Sequence, residues 1–182
     1  LSPGHANHAA GPGAAMAALD GVRSLRASRG AAPVLYGPDE EFPVGGSKVL
    51  RSSERDRLSI VAAGVTVHEA LKAAEALDGE GIAVRVVDLY SVKPVDRATL
   101  RRAAGGTGCL LPVEDHHAEG GLGDAVLDAF LDGRPVPRLV RLAVRKMPGS
   151  ASPAEQLHAA GIEPEALAAA APLRVGPGVH TW

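Results

Sequence analysis

Leu58-Ser-Ile-Val-Ala-Ala-Gly-Val-Thr-Val-His-Glu-Ala-Leu-Lys-Ala-Ala-Glu-Ala-Leu77, followed by Ile82-Ala-Val-Arg-Val-Val-Asp88, decides the fold. Leu58 to Ala63 is a short apolar run rich in strand formers, and Gly64 punctuates it. From Val65 to Leu77 the apolar positions Val67, Ala70, Leu71, Ala74 and Leu77 fall at helical spacing, so they share one face. Gly79 and Gly81 end that helix, and Ile82–Asp88 reads as a second strand. A strand, a helix and a strand joined by tight connections predict a right-handed crossover between parallel strands.

The pattern continues outward from this unit. Pro94, Asp96, Leu100 and Ala104 mark a short helix that Gly105-Gly106 is expected to stop. Cys109 to Val113 reads as a third strand, and its Pro112 predicts a place near an edge or a bulge. Gly121 to Leu131 follows as a helix, Pro137 to Val144 as a fourth strand, and residues 154–159 and 165–171 as helical ends. The fold class expected is α/β, a small, mostly parallel (mixed) sheet flanked by helices on both faces.

Before Leu58 the signals weaken. Residues 1–13 are rich in Gly, Ala, His and Pro without periodicity and read as a flexible arm. Ala14 to Leu19 could form a short helix, and Val22 to Ala27 alternates weakly as a short strand. Residues 31–47 hold Pro33, Pro38 and Pro43 among turn formers and read as a linker over a surface. The charged run Arg51-Ser-Ser-Glu-Arg-Asp-Arg57 is where a domain boundary is expected. The resulting division is 1–21 as an N-terminal arm, 22–57 as a preceding segment and linker, 58–171 as the main domain, and 172–182 as a loose tail. Leu1 stands where a Met would open a gene product and no signal-peptide pattern accounts for it, so a piece of a longer product is expected.

Composition narrows the classes. The chain has 182 residues, 46% apolar and 22% charged, which is globular rather than disordered. Aromatics make up 3%, so the core has to be built from Ala, Val and Leu. Nineteen Lys and Arg against 21 Asp and Glu leave a net charge of −2, which gives no electrostatic reason to expect nucleic acid or an anionic membrane as partner. The single cysteine, Cys109, excludes an internal disulfide and Cys-rich zinc sites, and it points to a reduced, cytoplasmic compartment. No apolar run reaches the roughly 18 residues that a membrane span needs.

Chemistry is sparse. The turn at Ala62-Ala-Gly64 carries one glycine where a dinucleotide fingerprint needs three, so it reads as a tight strand-to-helix turn. Glu114-Asp-His-His-Ala-Glu-Gly-Gly-Leu-Gly123 lies at the carboxyl end of a strand, where ligand sites of open α/β sheets gather. Its carboxylates and imidazoles could bind a metal or move protons, but their spacing fits neither a helical His pair nor a zinc signature. The reading preferred for His116 to Gly123 is a polar loop that caps a helix, packs closely through its glycines, or contacts a subunit. His68 reads as a half-buried helix histidine, and Arg145-Lys146 as a solvated edge. Arg26 and Arg29 follow the weak strand, and Arg29, beside Gly30, could grip a phosphate with both prongs of its guanidinium.

Several motifs in order carry a resemblance: Arg26-Ala-Ser-Arg29, Glu41-Phe-Pro-Val-Gly-Gly-Ser-Lys-Val-Leu50, Ala63-Gly-Val-Thr-Val-His-Glu-Ala-Leu71, Val87-Asp-Leu-Tyr-Ser-Val-Lys-Pro-Val-Asp96, Val113-Glu-Asp-His-His-Ala-Glu-Gly-Gly-Leu-Gly-Asp-Ala-Val126, and Ser150-Ala-Ser-Pro-Ala-Glu-Gln-Leu157 with Gly161-Ile-Glu163. Over residues 22–171 the chain resembles the C-terminal part of transketolase, of the type found in animals and some bacteria. The glycine-rich element after Glu114 also resembles β subunits of 2-oxo acid dehydrogenases and deoxyxylulose-phosphate synthase.

The resemblance implies a transketolase C-terminal domain preceded by the end of a pyrimidine-binding domain. It implies an enzyme that moves a two-carbon ketol unit from a ketose phosphate to an aldose phosphate. Thiamine diphosphate and a divalent cation (Mg or Ca) would serve the complete enzyme, with none bound by this chain alone. Residue by residue it carries over one role, Arg29 as a ligand of the sugar phosphate, where the family often has Pro in the place of Gly30. The Gly-Asp-Gly motif that holds metal and diphosphate is absent from the sequence, as is the glutamate that activates the coenzyme, so no catalytic residue is assigned. Expected partners are the remaining transketolase domains or a split-enzyme chain, sugar phosphate, and a second copy in a homo-oligomer. The alternatives are a non-catalytic assembly or regulatory module and the end of a 2-oxo acid dehydrogenase β subunit.

Overall fold

The computed structural model describes residues 1–4, 13, 14, 16, 17, 20–28, 32–133 and 135–171. Among them are six strands, β1 (Lys48–Arg51), β2 (Ser59–Ala62), β3 (Arg85–Asp88), β4 (Cys109–His117), β5 (Arg138–Leu139) and β6 (Leu142–Val144). Five helices complete the domain, α1 (Thr66–Gly79), α2 (Arg97–Thr107), α3 (Leu122–Asp128), α4 (Pro153–Ala160) and α5 (Pro164–Ala170). The strands make one mixed sheet in the order β1-β3-β2-β4-β5, with β6 on the same side of β4 as β5. All pairings are parallel except β1 with β3.

Two cores sandwich this sheet because its strands alternate. Ile60, Ala62 and Val86 face α1 and α5, through Val67, Ala70, Ala74, Leu77 and Leu167. Val61, Leu89 and Leu110 face α2 and α3, through Leu100, Ala103, Leu122 and Val126. Both layers are aliphatic, as a chain with few aromatics requires. The aromatics gather instead where the 32–47 segment meets the sheet. Tyr36 and Phe42 meet edge to face at 5.0 Å, and Phe42 and Tyr90 at 5.2 Å. Tyr36 Oη donates to Asp88 at 2.8 Å, and Tyr90 Oη to Pro43 O at 3.0 Å. Gly46 leaves room for this, since a Cβ there would stand 2.3 Å from Tyr90 Oη.

Several expectations are corrected. Helix α2 does not stop at Gly105-Gly106 but runs on to Thr107. Gly108 ends it in the left-handed region (φ 68°), and Gly106 gives space to the Arg85 guanidinium lying against it. Pro112 sits in an interior strand. Leu110 O accepts from Val140 N at 3.0 Å, so Pro112, two residues on, turns its missing N–H to the same side, opposite the break between β5 and β6. That break at Val140-Arg141 splits the single strand expected over 137–144. Helix α3 stops at Asp128 rather than Leu131. Residues 22–28 form no strand. The boundary expected at residue 57 falls between β1 and β2, two strands of one sheet.

Of the expected flexible arm, residues 1–4 are held. Ser2 N donates to Tyr90 O at 2.8 Å, Leu1 N to Ser24 O at 2.8 Å, and Arg26 N to Leu1 O at 2.9 Å. Residues 13, 14, 16 and 17 are helical, so the helical residues begin one position before the helix expected over 14–19. The tail 172–182 lies outside the described residues.

Candidate functional site

The order in which strands are added turns back between the parallel neighbours β2 and β4. The connection through α1 leads from β2 to β3 on one side, and the connection through α2 crosses back to β4 on the other. At such a switch point the loops part, and a crevice opens outside the carboxyl ends of the strands. A cavity of about 640 Å³ lies there, walled by Ala63 from β2's end, Asp115 and His116 from β4, Gly121 before α3, Pro94 before α2, and Arg26. Thr66 Oγ1 ties the two strand ends together, 3.0 Å from the carbonyls of both Ala63 and Val113.

The Glu114 to Gly123 stretch is built as a cap. Glu114 is buried, and its carboxylate accepts from Leu122 N at 2.5 Å and Gly123 N at 3.3 Å, the free amides of α3's first turn. Burial pushes the Glu114 carboxyl up, and the Gly123 and Leu122 amides and Arg141 hold it back. Gly121 has to be glycine because a Cβ would stand 1.8 Å from Glu114 Oε2. Gly123 has to be glycine for a second reason, since a Cβ there would stand 2.0 Å from Arg141 Nε. Arg141 reaches across to bind the Ala118 carbonyl and Asp124, so one guanidinium closes the loop from outside. Asp124 also accepts from Gly120 N at 2.6 Å.

Each expected site residue can now be placed. The capping and packing role preferred for His116 to Gly123 is the one seen. His116 and His117 are exposed and stacked edge to face at 6.2 Å, with His116 Nδ1 2.7 Å from His117 O. His68 is buried, its Nε2 3.1 Å from Gly4 O. Arg145 and Lys146 are exposed. Arg29 lies outside the described residues. Arg26 forms a fork with Asp115, Nη1 to Oδ1 at 2.7 Å and Nη2 to Oδ2 at 3.0 Å, and this carboxylate raises the Arg26 pKa. Neither this pairing nor the reach of Arg141 was read from sequence. The one available signal was Arg141 itself, a lone charge inside the apolar run Leu139 to Val144.

Among the described residues the site offers hydrogen-bonded scaffolding and brings together no acid–base pair or activated nucleophile. Glu114, the carboxylate best placed for proton transfer, is committed to backbone amides. Among the described residues no three His, Cys, Asp or Glu side chains converge as a metal would require.

The family model of the transketolase C-terminal domain matches residues 47–167. Transketolase of Mus musculus is 43% identical over 148 residues, 81% of this chain and 24% of that protein. The chain belongs to the transketolase family. Other relatives at this level include transketolase of Homo sapiens, 43% identical over 151 residues, and transketolase-like protein 1 of Bos taurus, 42% over 145. The chain spans about a quarter of the length of these relatives (24%). Among solved structures, a split-gene transketolase described as an inactive β4 tetramer superimposes at TM-score 0.88. It is 33% identical, and the match covers 95% of this chain and 56% of the other. Transketolase of Pichia stipitis shares the fold at TM-score 0.56 and 21% identity, over 72% of this chain and 18% of that one.

Proposed function

We propose that this chain is the C-terminal portion of a thiamine-diphosphate-dependent transketolase and acts only together with the domains that hold the coenzyme. The complete enzyme would transfer a two-carbon ketol unit from a ketose phosphate to an aldose phosphate. The other domains would hold the coenzyme, whose chemistry when bound would be that of a nucleophilic carbon towards the ketose carbonyl. This chain supplies a folded platform and, through Arg29, a guanidinium for the phosphate of the sugar. The observation that carries the reading is the likeness to the split-gene transketolase over 95% of this chain, set beside 43% identity to full-length transketolase over 148 residues.

Association with further copies or companion chains is part of the proposal. Leu131 and Val136 are 64% and 51% exposed, and apolar side chains left in water favour burial against a partner. The experiment for the site combines this chain with a polypeptide carrying the coenzyme-binding domains and measures ketol transfer. Arg29→Ala is expected to raise the apparent KM for a phosphorylated donor about tenfold or more, the loss of a charge-assisted, two-pronged contact. An unchanged KM would remove Arg29 from the site.

A further inference from the structure

Arg85 is the first residue of β3, and its neighbour Val86 packs into the core beneath α1, so the arginine turns to the face that α2 covers. Its guanidinium lies against Gly106, where a Cβ would stand 3.3 Å from Nη1. The side chain is only 20% exposed, and a charge so far withdrawn from water needs partners. Nε has Asp56 at 3.3 Å, but that carboxylate is shared, since it also accepts from Ser53 N and Ser53 Oγ, each at 2.8 Å. Among the described residues the Arg85 guanidinium makes no hydrogen bond.

Arg85 lines a cleft of about 250 Å³ between α2 and the edge of the sheet. Val49 of β1 stands opposite Val87 and is half exposed, which marks where the cover of α2 ends. Thr99, Arg102 and Ala103 from α2 and Ser52 beyond β1 complete the lining. Arg102 is exposed and commits one nitrogen, Nη2, to Thr99 Oγ1 at 2.8 Å. Asp96, the carboxylate that caps α2, is already taken by Thr99 N and Ser47 Oγ, each at 2.9 Å. Two guanidiniums with donors to spare and two hydroxyls in one small cleft suit a tetrahedral oxyanion. We propose that this cleft binds a phosphate group, as inorganic phosphate or as the ester of a small alcohol, with Arg85 and Arg102 as its ligands. Arg85 is the fixed prong, held by its strand and by Gly106, and Arg102 swings from Thr99 to close on the anion. The cleft is smaller than the roughly 300–1,000 Å³ of pockets that take larger ligands, which excludes a nucleotide. It lies beside the first residue of β3, at the opposite end of the strands from the crevice, and so does not depend on the role given to Arg29.

The test titrates the full chain with inorganic phosphate at fixed ionic strength, reading the place of binding from amide shifts in NMR spectra and the affinity from calorimetry. Saturable shifts are expected at residues 49, 52, 85, 102 and 103, with residues 114–123 unmoved. Arg102→Ala should weaken binding about tenfold, the loss of a charge-assisted contact, and should melt as the wild type does without phosphate, because the side chain is exposed. Arg97→Ala removes an exposed charge of the same helix outside the cleft and should leave the affinity unchanged. Ribose 5-phosphate binding at the cleft more tightly than phosphate would identify an ester as the ligand, equal affinity would identify free phosphate, and unphosphorylated ribose should shift nothing there. An absence of saturable shifts at the cleft, or shifts confined to 114–123, overturns the site. So does wild-type affinity in Arg102→Ala, or an equal loss in Arg97→Ala, which would mark the binding as general attraction to a charged surface.

Discussion

A carboxyl taken out of water has to be hydrogen-bonded as an anion or stay protonated. Glu114 takes the first course, and the glycines beside it exist to permit the approach. Gly121→Ala would drive a methyl group into Glu114 and pull its carboxylate from α3, costing about 2 kcal/mol. In a chain of this size that is a fall in melting temperature of about 4–8 °C, measurable by calorimetry. Asp88 takes the second course. It is fully buried, and burial pushes its pKa up to about 7, against the opposing pull of the Tyr36 hydroxyl. Its folded pKa thus lies above the unfolded one of about 4. The contribution of Asp88 is complete below about pH 4 and is lost as pH rises towards 7. Denaturant titrations between pH 5 and 8 should show stability declining with pH, and Asp88→Asn should flatten that slope. A slope unaltered by Asp88→Asn would contradict the assignment.

Elements differ in how much of their form was legible. Helix α1 could be read from sequence because one face is apolar at the helical period, and strand β3, the last four residues of the strand expected over 82–88, because a short run apolar on both faces suits a strand covered on both sides. The end of α2 was misread because a glycine pair usually breaks a helix. Here Gly108 supplies the left-handed cap two residues later, and the need for Gly106 comes from Arg85, which no local pattern shows. The capping role of the Glu114 loop was legible in its glycines. The grip of Arg141 was not, since strand alternation says which face a residue takes and not which loop it meets 17 to 23 residues back. The 32–47 segment reads as a plain linker, yet it carries Tyr36 and Phe42 into an aromatic clasp with Tyr90. Phe42→Ala should cost about 3 kcal/mol and open this segment to limited proteolysis, with cleavage between residues 32 and 47 preceding cleavage in the sheet. Equal protection of the two regions in Phe42→Ala would show that the clasp does not hold the linker.

On the scale of the whole molecule, a sheet covered on both faces and a crevice at the switch point form a frame with its reactive groups spent on holding itself together. Arg26 is matched by Asp115, Glu114 by amides, Asp124 by Arg141. Such a frame suits the proposal that the chemistry is carried by other domains, and the chain covers 24% of its full-length transketolase relatives. The measurement that bears most directly on this is ketol transfer by the purified chain, alone and mixed with a polypeptide bearing the coenzyme-binding domains, alongside calorimetric titration of the chain with thiamine diphosphate and magnesium. The account predicts no turnover and no heat of binding from the chain alone, and transfer in the mixture. Stoichiometric coenzyme binding or turnover by the isolated chain would contradict it.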